Sequence, residues 1–409
     1  MFDKSKYYGE IWLPENENTK HFCVLEFIDG EVYLETNLAS KNSEYKRDLL
    51  YGAFNGLGFM TFINNSIKSS SSGLIFHRKY NPEYTFASSN HIINPLTLRI
   101  KEFKIDNDAL NNWIRSFHLF NYDDNNIEKA DDVNHKIKIV EKSIQVEIIK
   151  TTNYASDLSS FNFINLGFIS FVSESKLTIL ECIELYRTFQ KFLLFYYGKS
   201  SHFKSILIKC LSCGNWFSLY FNDSLTHDDT MSFTSLAYED VKDDLDKILN
   251  IWFTNEDIRF CADIIIENLL SKKVSHSRRF TNSLATLEAY NKRFGIKYSK
   301  PTLERYFLEH KGILLNIMNI EDADLDNYIK KIIRSRDFFV HGNKNQTDYF
   351  TEFELLYISF LIDYIVCIEL SKQIGFSQKI INDILMKAKS VFLDMQSVNK
   401  MLSNCILKN

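Results

Sequence analysis

Proline and glycine are scarce, at 4 and 13 among 409 residues. That leaves little room for a long flexible linker. Neither charge sign dominates: 48 Lys+Arg face 52 Asp+Glu, for a formal net charge of −4. No basic arm advertises nucleic acid. The opening Met1-Phe2-Asp3-Lys4-Ser5-Lys6 has no apolar run behind its charges, so no signal peptide is expected. The most apolar stretch, Leu355–Leu370, is short and broken by Asp363. It reads as a buried helix, and no membrane contact is expected. The seven cysteines are odd in number and irregularly spaced, which reads as free thiols in a cytoplasmic protein. Gly52, Gly56 and Gly58 are followed by no Lys-Ser/Thr and sit in no βαβ unit, so no nucleotide fingerprint is present.

Hydrophobic residues at 45% and charged residues at 24% are ordinary globular values. The length suggests two or three domains. The first half reads mainly as strands. Phe22–Ile28 and Glu31–Leu34 flank Asp29-Gly30, a type I′ hairpin signal. Leu96–Lys101 alternates strictly and is expected as a strand. Lys136–Val140 and Ile144–Ile149 predict a second hairpin, and Ser69–Gly73 a polar loop. One helix interrupts, over Leu177–Tyr197, stopping at Gly198; strands resume across Lys204–Phe221.

The second half reads as helix. Apolar residues recur at three and four across Val241–Trp252, Asp257–Leu270, Arg278–Phe294, Thr302–Asn316, Asp324–Val340, Phe353–Lys372 and Gln378–Met395. The expected class is therefore α+β and multidomain: a β-rich domain over 1–228, then an all-α bundle over 229–409. The polar stretch Asn222–Thr234 holds the boundary. Residues 241–409 carry 24 Lys+Arg and 22 Asp+Glu, a net +2, which leaves −6 for the rest. The helical half is the better anion binder of the two.

Chemistry concentrates where the fifth helix ends, at Arg336-Asp337-Phe338-Phe339-Val340-His341-Gly342-Asn343. A metal-free ribonuclease needs a base for the ribose 2′-hydroxyl or an acid for the leaving 5′-oxygen, and His341 can be either near neutral pH. It also needs a fixed cation for the charge growing on phosphate, which Arg336 supplies. Asp337, one turn before His341, is placed to orient the imidazole. Gly342 is a natural terminator that leaves His341 at a helix end. The spacing alone is weak: 12 Arg and 10 His give about one such match by chance. On spacing alone, a solvated arginine beside a capping histidine is the better account. Arg334, seven residues before His341, shares its face, whereas Arg336 is about 140° away on a regular helix.

The context resembles the HEPN superfamily, helical bundles with an Arg–(four to six residues)–His motif often carrying Asn or Asp after the Arg, as in Arg336-Asp337. The upstream Arg279–Tyr290 helix resembles its ApeA-like branch. Tyr8-Gly9-Glu10-Ile11-Trp12-Leu13-Pro14 and the hairpin after it resemble the N-terminal domain of ApeA anti-phage proteins. The resemblance implies a homodimer or higher homo-oligomer with paired motifs facing each other. It implies metal-independent RNA cleavage leaving a 2′,3′-cyclic phosphate, in abortive defence against phage. The N-terminal domain would restrain the nuclease or sense an unknown phage trigger. Arg336, His341 and Asp337 match the motif, and Glu288 matches a recurrent acidic position that braces Arg336. The RNA partner expected is tRNA or another structured RNA with exposed loops. Arg278, Arg279, Arg334, Asn343 and Lys344 are the expected RNA contacts, with a solvated loop as the plainer account of the first two. A non-catalytic bundle that dimerises or binds a partner protein or RNA is the alternative.

No cofactor or metal is expected. Cys210-Leu211-Ser212-Cys213 could reach four zinc ligands with His202 and His227. Residues three apart on a strand point to opposite faces, however. His310, Lys311 and Lys330-Lys331 read as ordinary surface, and Tyr7, Tyr8 and Trp12 as strand-packing aromatics.

Overall fold

A computed structural model describes residues 6–28, 30–38, 46–71, 77–114, 120–121, 126–127, 133–156, 161–200, 203–211, 214–221, 225, 233, 236–271, 274–300, 302–343 and 347–406. The chain divides into two compact units. One comprises residues 1–190 and 200–228; the other comprises 191–199 and 229–409. The first is β-rich and the second helical, so the class is α+β and multidomain.

The first unit begins with β1 (Lys6–Trp12), β2 (His21–Ile28), β3 (Glu31–Thr36), β4 (Lys46–Phe54), β5 (Gly58–Ser71), β6 (His77–Asn81) and β7 (Tyr84–Ser88). The order β5-β4-β1-β2-β3-β6 closes on itself, because β6 pairs with both β3 and β5. The result is a six-stranded barrel, filled by Ile11, Leu25, Phe27, Leu34, Leu50, Phe62 and Tyr80 among others. Period-two alternation puts them there: Val32 and Leu34 of β3 are buried between half-exposed neighbours. The β2–β3 hairpin turns at Gly30, whose φ of +80° a β-carbon would strain. Gly9 serves a different need. A Cβ there would lie 2.1 Å from the Ala53 carbonyl oxygen, so only glycine lets β1 and β4 approach.

Beyond the barrel β5 also pairs with β7, and the antiparallel order continues β7-β15-β14-β8-β13-β12-β11. These strands are β8 (Ile100–Asn107), β11 (Val133–Ile139), β12 (Ile144–Ser156), β13 (Phe161–Leu177), β14 (Phe203–Cys210) and β15 (Trp216–Phe221). A two-residue pair, β9 (Phe120–Asn121) and β10 (Asn126–Ile127), stands apart from this sheet. The unit's helices are α1 (Asp108–Trp113), capped by the Asn107 side chain, and most of α2 (Ile179–Phe192).

Both predicted hairpins form, as β2–β3 and β11–β12. Three local expectations fail. Leu96–Lys101 is not a strand. Pro95 starts a 3₁₀ turn through Thr97, and the strand begins only at Ile100. The fixed φ and missing N–H of proline override the alternation that follows it. Ser69–Ser71 are not loop: they extend β5 and pair with Lys79, Arg78 and His77. Ladder hydrogen bonds hold these exposed serines, which a burial pattern does not register; Ser72 and Gly73 lie outside the described residues. The helix predicted to Tyr197 changes type, since Leu193–Tyr197 is a π turn ending at Gly198 with φ +78°.

The second unit holds α3 (Tyr238–Val241), α4 (Leu245–Thr254), α5 (Glu256–Leu270), α6 (His276–Phe294), α7 (Leu303–Glu309), α8 (Lys311–Met318), α9 (Asp322–His341), α10 (Glu352–Ile374) and α11 (Gln378–Ile406). Apolar almost all round, α10 is the central helix, packing against α4, α5, α6 and α11. Its start is a capping box of Thr351 and Glu354, and Gly375, φ +91°, ends it. Two predicted helices are divided: Val241–Trp252 at Lys242–Asp244, and Thr302–Asn316 at His310. His310 is also buried, not surface. It packs on the Tyr290 ring and sets Nδ1 3.6 Å from a Glu369 carboxylate oxygen. No helix among the described residues is long and apolar enough to cross a membrane.

Candidate active site in the helical unit

The motif ends α9, which stays α-helical through His341. The chain reverses at Gly342, whose φ is +64°. Its N–H donates to the Phe338 carbonyl at 3.1 Å, and Asn343 N–H reaches the Asp337 carbonyl at 3.3 Å. His341 is exposed at this end. Neither its imidazole nor the Asp337 carboxylate makes a hydrogen bond or ion pair among the described residues. The expected Asp337–His341 orienting bond is therefore absent within one chain. The i,i+4 spacing would permit such a contact, so side-chain conformation rather than helix geometry leaves it unmade.

Arg336 faces the other way, toward α6. Its Nη2 lies 3.5 Å from Glu288 Oε1, while Glu288 Oε2 lies 3.7 Å from Lys292 Nζ, one turn on. One carboxylate thus holds two cations, and Glu288 braces the guanidinium. This trio borders a cleft of about 480 Å³ between α6, α7 and α9, completed by Thr302, Leu303, Glu304, Tyr306 and Ile333. The Tyr306 hydroxyl has its pKa raised, first by burial and then by the charges of Glu288 and Glu309. His341 is not part of the cleft wall.

Arg334 is engaged elsewhere. Its Nη1 pairs with Asp348 at 2.5 Å, and Lys331 stands 4.0 Å from the same carboxylate. Asp348 belongs to the return segment after the motif. Ser335, fully buried, pins that segment: its hydroxyl accepts from Phe350 N–H at 2.9 Å and donates to the Lys331 carbonyl at 2.8 Å. Phe338 stacks on Tyr349 with ring centres 3.9 Å apart. Arg334 therefore fastens the return segment to α9, while Arg336 is the arginine on the cleft.

Of the remaining predicted contacts, Arg278 and Asn343 are exposed, and Lys344 lies outside the described residues. Arg279 contradicts its expected role. It is buried, with Nη1 donating to the Asn268 carbonyl at 2.7 Å, Nη2 3.4 Å from Asp363, and its guanidinium over the Phe360 ring. One residue of helical rotation separates solvent-facing Arg278 from this interior position, and a phosphate cannot reach it. Asp363 is fully buried and its carboxyl is raised to about 7, chiefly by desolvation, against a lowering from Arg279, Ser283 and Asn268. Burial likewise lowers the Arg279 pKa.

Sequence reasoning missed Lys292, Glu304 and Tyr306 as cleft residues and Ser335 as the clamp. Lys292, four residues after Glu288, was the one readable signal. No group of three His, Cys, Asp or Glu side chains among the described residues could hold a metal ion. Cys210 is buried, and Cys213, His202 and His227 lie outside the described residues.

The ApeA N-terminal domain 1 family model matches residues 6–252, about three fifths of the chain. The match spans the barrel and the sheet beyond it and runs into α4. No curated protein matches the chain.

Proposed function

From the premise that this chain belongs to the ApeA N-terminal domain 1 family, we propose that it is a cytoplasmic anti-phage protein whose helical unit is a HEPN-type, metal-independent endoribonuclease. The observation that carries the reading is the placement of Arg336: braced by Glu288 and one-third exposed on a cleft, five residues before an exposed helix-end His341. A braced arginine suits a phosphate, and a solvent-facing imidazole suits proton transfer.

In the proposed reaction the ribose 2′-oxygen attacks phosphorus and the bond from phosphorus to the 5′-oxygen breaks. A base takes the 2′-hydroxyl proton and an acid protonates the departing 5′-oxygen, leaving a 2′,3′-cyclic phosphate. His341 serves as one of these, and Arg336 neutralises charge on the non-bridging oxygens. Because the two side chains diverge by about 140° on a regular helix, one chain does not aim both at one phosphate. Two copies with their α9 ends facing would, so the active form is a homodimer. The RNA is single-stranded or a loop, since the 2′-oxygen must swing in line with the leaving oxygen. The β-rich unit restrains this activity or responds to the infecting phage.

One observation favours a non-catalytic interaction module: His341 has no orienting partner among the described residues. Phage challenge of cells carrying wild type or His341→Ala, with RNA ends mapped during infection, separates the readings. His341-dependent cyclic-phosphate ends accompanying protection support the nuclease. Equal protection by the variant, or protection with unchanged RNA ends, overturns it.

A further inference from the structure

The cleft beside Arg336 has a composition that a phosphate site alone does not need. Its two cations, Lys292 and Arg336, are matched by two carboxylates, Glu288 and Glu304. Glu288 is spent on the cations. Glu304 is not: it is exposed in the first turn of α7 and has no ion pair or hydrogen bond among the described residues. A free carboxylate on the wall of an anion site repels the ligand unless the ligand also brings hydrogen-bond donors. Next to Glu304 stands Thr302, whose hydroxyl accepts the Arg305 N–H as the α7 cap. Leu303, Tyr306 and Ile333 add apolar atoms to the wall.

A ligand with an anionic group, an apolar body and amino donors satisfies all of this. A nucleotide whose base carries an exocyclic amino group is such a ligand, and the volume of about 480 Å³ lies in the range of small-molecule sites. We infer that the α6–α7–α9 cleft is a nucleotide subsite. It holds the phosphate at Arg336 and Lys292 and reads the amino edge of the base with Glu304. Cytosine donates from its exocyclic amine to a carboxylate, whereas uracil presents a carbonyl oxygen at that position and is repelled. This inference rests on the nuclease reading for its biological sense: the subsite would set which base flanks the cleaved phosphate.

Two measurements on the full-length protein keep the subsite and the nuclease apart. The first is binding of cytidine 5′-monophosphate and uridine 5′-monophosphate by calorimetry. Wild type is expected to bind the cytidine nucleotide about ten-fold more tightly, as one good base-edge contact provides. Glu304→Ala should lose that discrimination, and Arg336→Ala should weaken both nucleotides alike. Equal binding of the two by wild type, binding of neither, or discrimination that survives Glu304→Ala overturns the inference. The second is cleavage of an RNA pool, read as base frequencies at the new ends. A preference for amino-bearing bases that Glu304→Ala flattens supports the inference. If cleavage needs His341 but the frequencies ignore Glu304, the subsite falls and the nuclease stands. If Glu304-dependent binding is found without His341-dependent cleavage, the nuclease falls and the cleft remains a nucleotide site.

Discussion

Arg279 Nη2 lies 3.4 Å from Asp363 Oδ2 inside the helical unit, although 84 residues separate the two in sequence. The pair joins α6 to α10 and leaves both charges shielded from water. Its energetics follow from the fate of the carboxyl proton.

Burial raises the Asp363 carboxyl from 3.8 to about 7. Between those values the native state holds a proton that the unfolded chain has lost. The contribution to stability is therefore full below about pH 4 and is lost as pH rises through 7. Asp363→Asn cannot titrate, so its stability relative to wild type should rise by about 2 kcal/mol between pH 5 and pH 8. Chemical denaturation at three pH values checks this; a constant difference would contradict it.

Arg279→Met should show the reverse. It leaves the carboxylate without its cation where the carboxylate is ionised, a loss of about 3 kcal/mol or more near pH 8 that shrinks toward pH 5. Arg278→Ala, one residue away and exposed, should change stability by less than about 0.5 kcal/mol. Comparing the two melts tests whether Arg279 is interior structure rather than an RNA contact.

Arg336→Ala and His341→Ala should each lower RNA cleavage by about 100-fold or more. Both residues are partly exposed, so melting temperature should stay within about 2 °C of wild type. Activity and melting measured on the same preparations check this. A large loss of stability would make the motif structural.

The clamp behind the motif divides unequally. Ser335→Ala removes the acceptor of the buried Phe350 N–H and should cost about 1–3 kcal/mol. Arg334→Ala removes an exposed ion pair and should cost less than about 1 kcal/mol. Denaturation midpoints of the two variants give the comparison. Equal effects would mean that Asp348 carries the attachment.

Gly9→Ala should destabilise the barrel by about 2 kcal/mol or more, because its new methyl would meet the Ala53 carbonyl and backbone must shift. Thermal melts followed by circular dichroism in the strand region would show the loss. A neutral substitution would mean that β1 and β4 separate freely.

Local pattern made much of this fold legible. Asp29-Gly30 announced the β2–β3 hairpin, and three-four periodicity announced α5, α6, α9 and α10 in nearly their observed limits. The Glu288–Arg336 pairing was legible only through family resemblance, since nothing within either helix specifies it. Closure of β6 onto β5 was not legible, because strand order depends on pairings between segments that no short window spans. Arg279 illustrates the same limit in the site. A basic helix start reads as surface until its buried counter-charge on another helix is known, and Asp363 had shown itself only as a polar break in an apolar run.

In the sheet order β15 is the link: it pairs with β14 on one side and with β7 on the other. Every pairing of the barrel lies within residues 6–81, so a ribosome has released the barrel long before it makes Trp216–Phe221. Until then β7 presents an unpaired edge, and so does β14. A message truncated between Cys210 and Trp216 would yield chains with two open edges that β15 otherwise covers, a direct invitation to edge-to-edge aggregation.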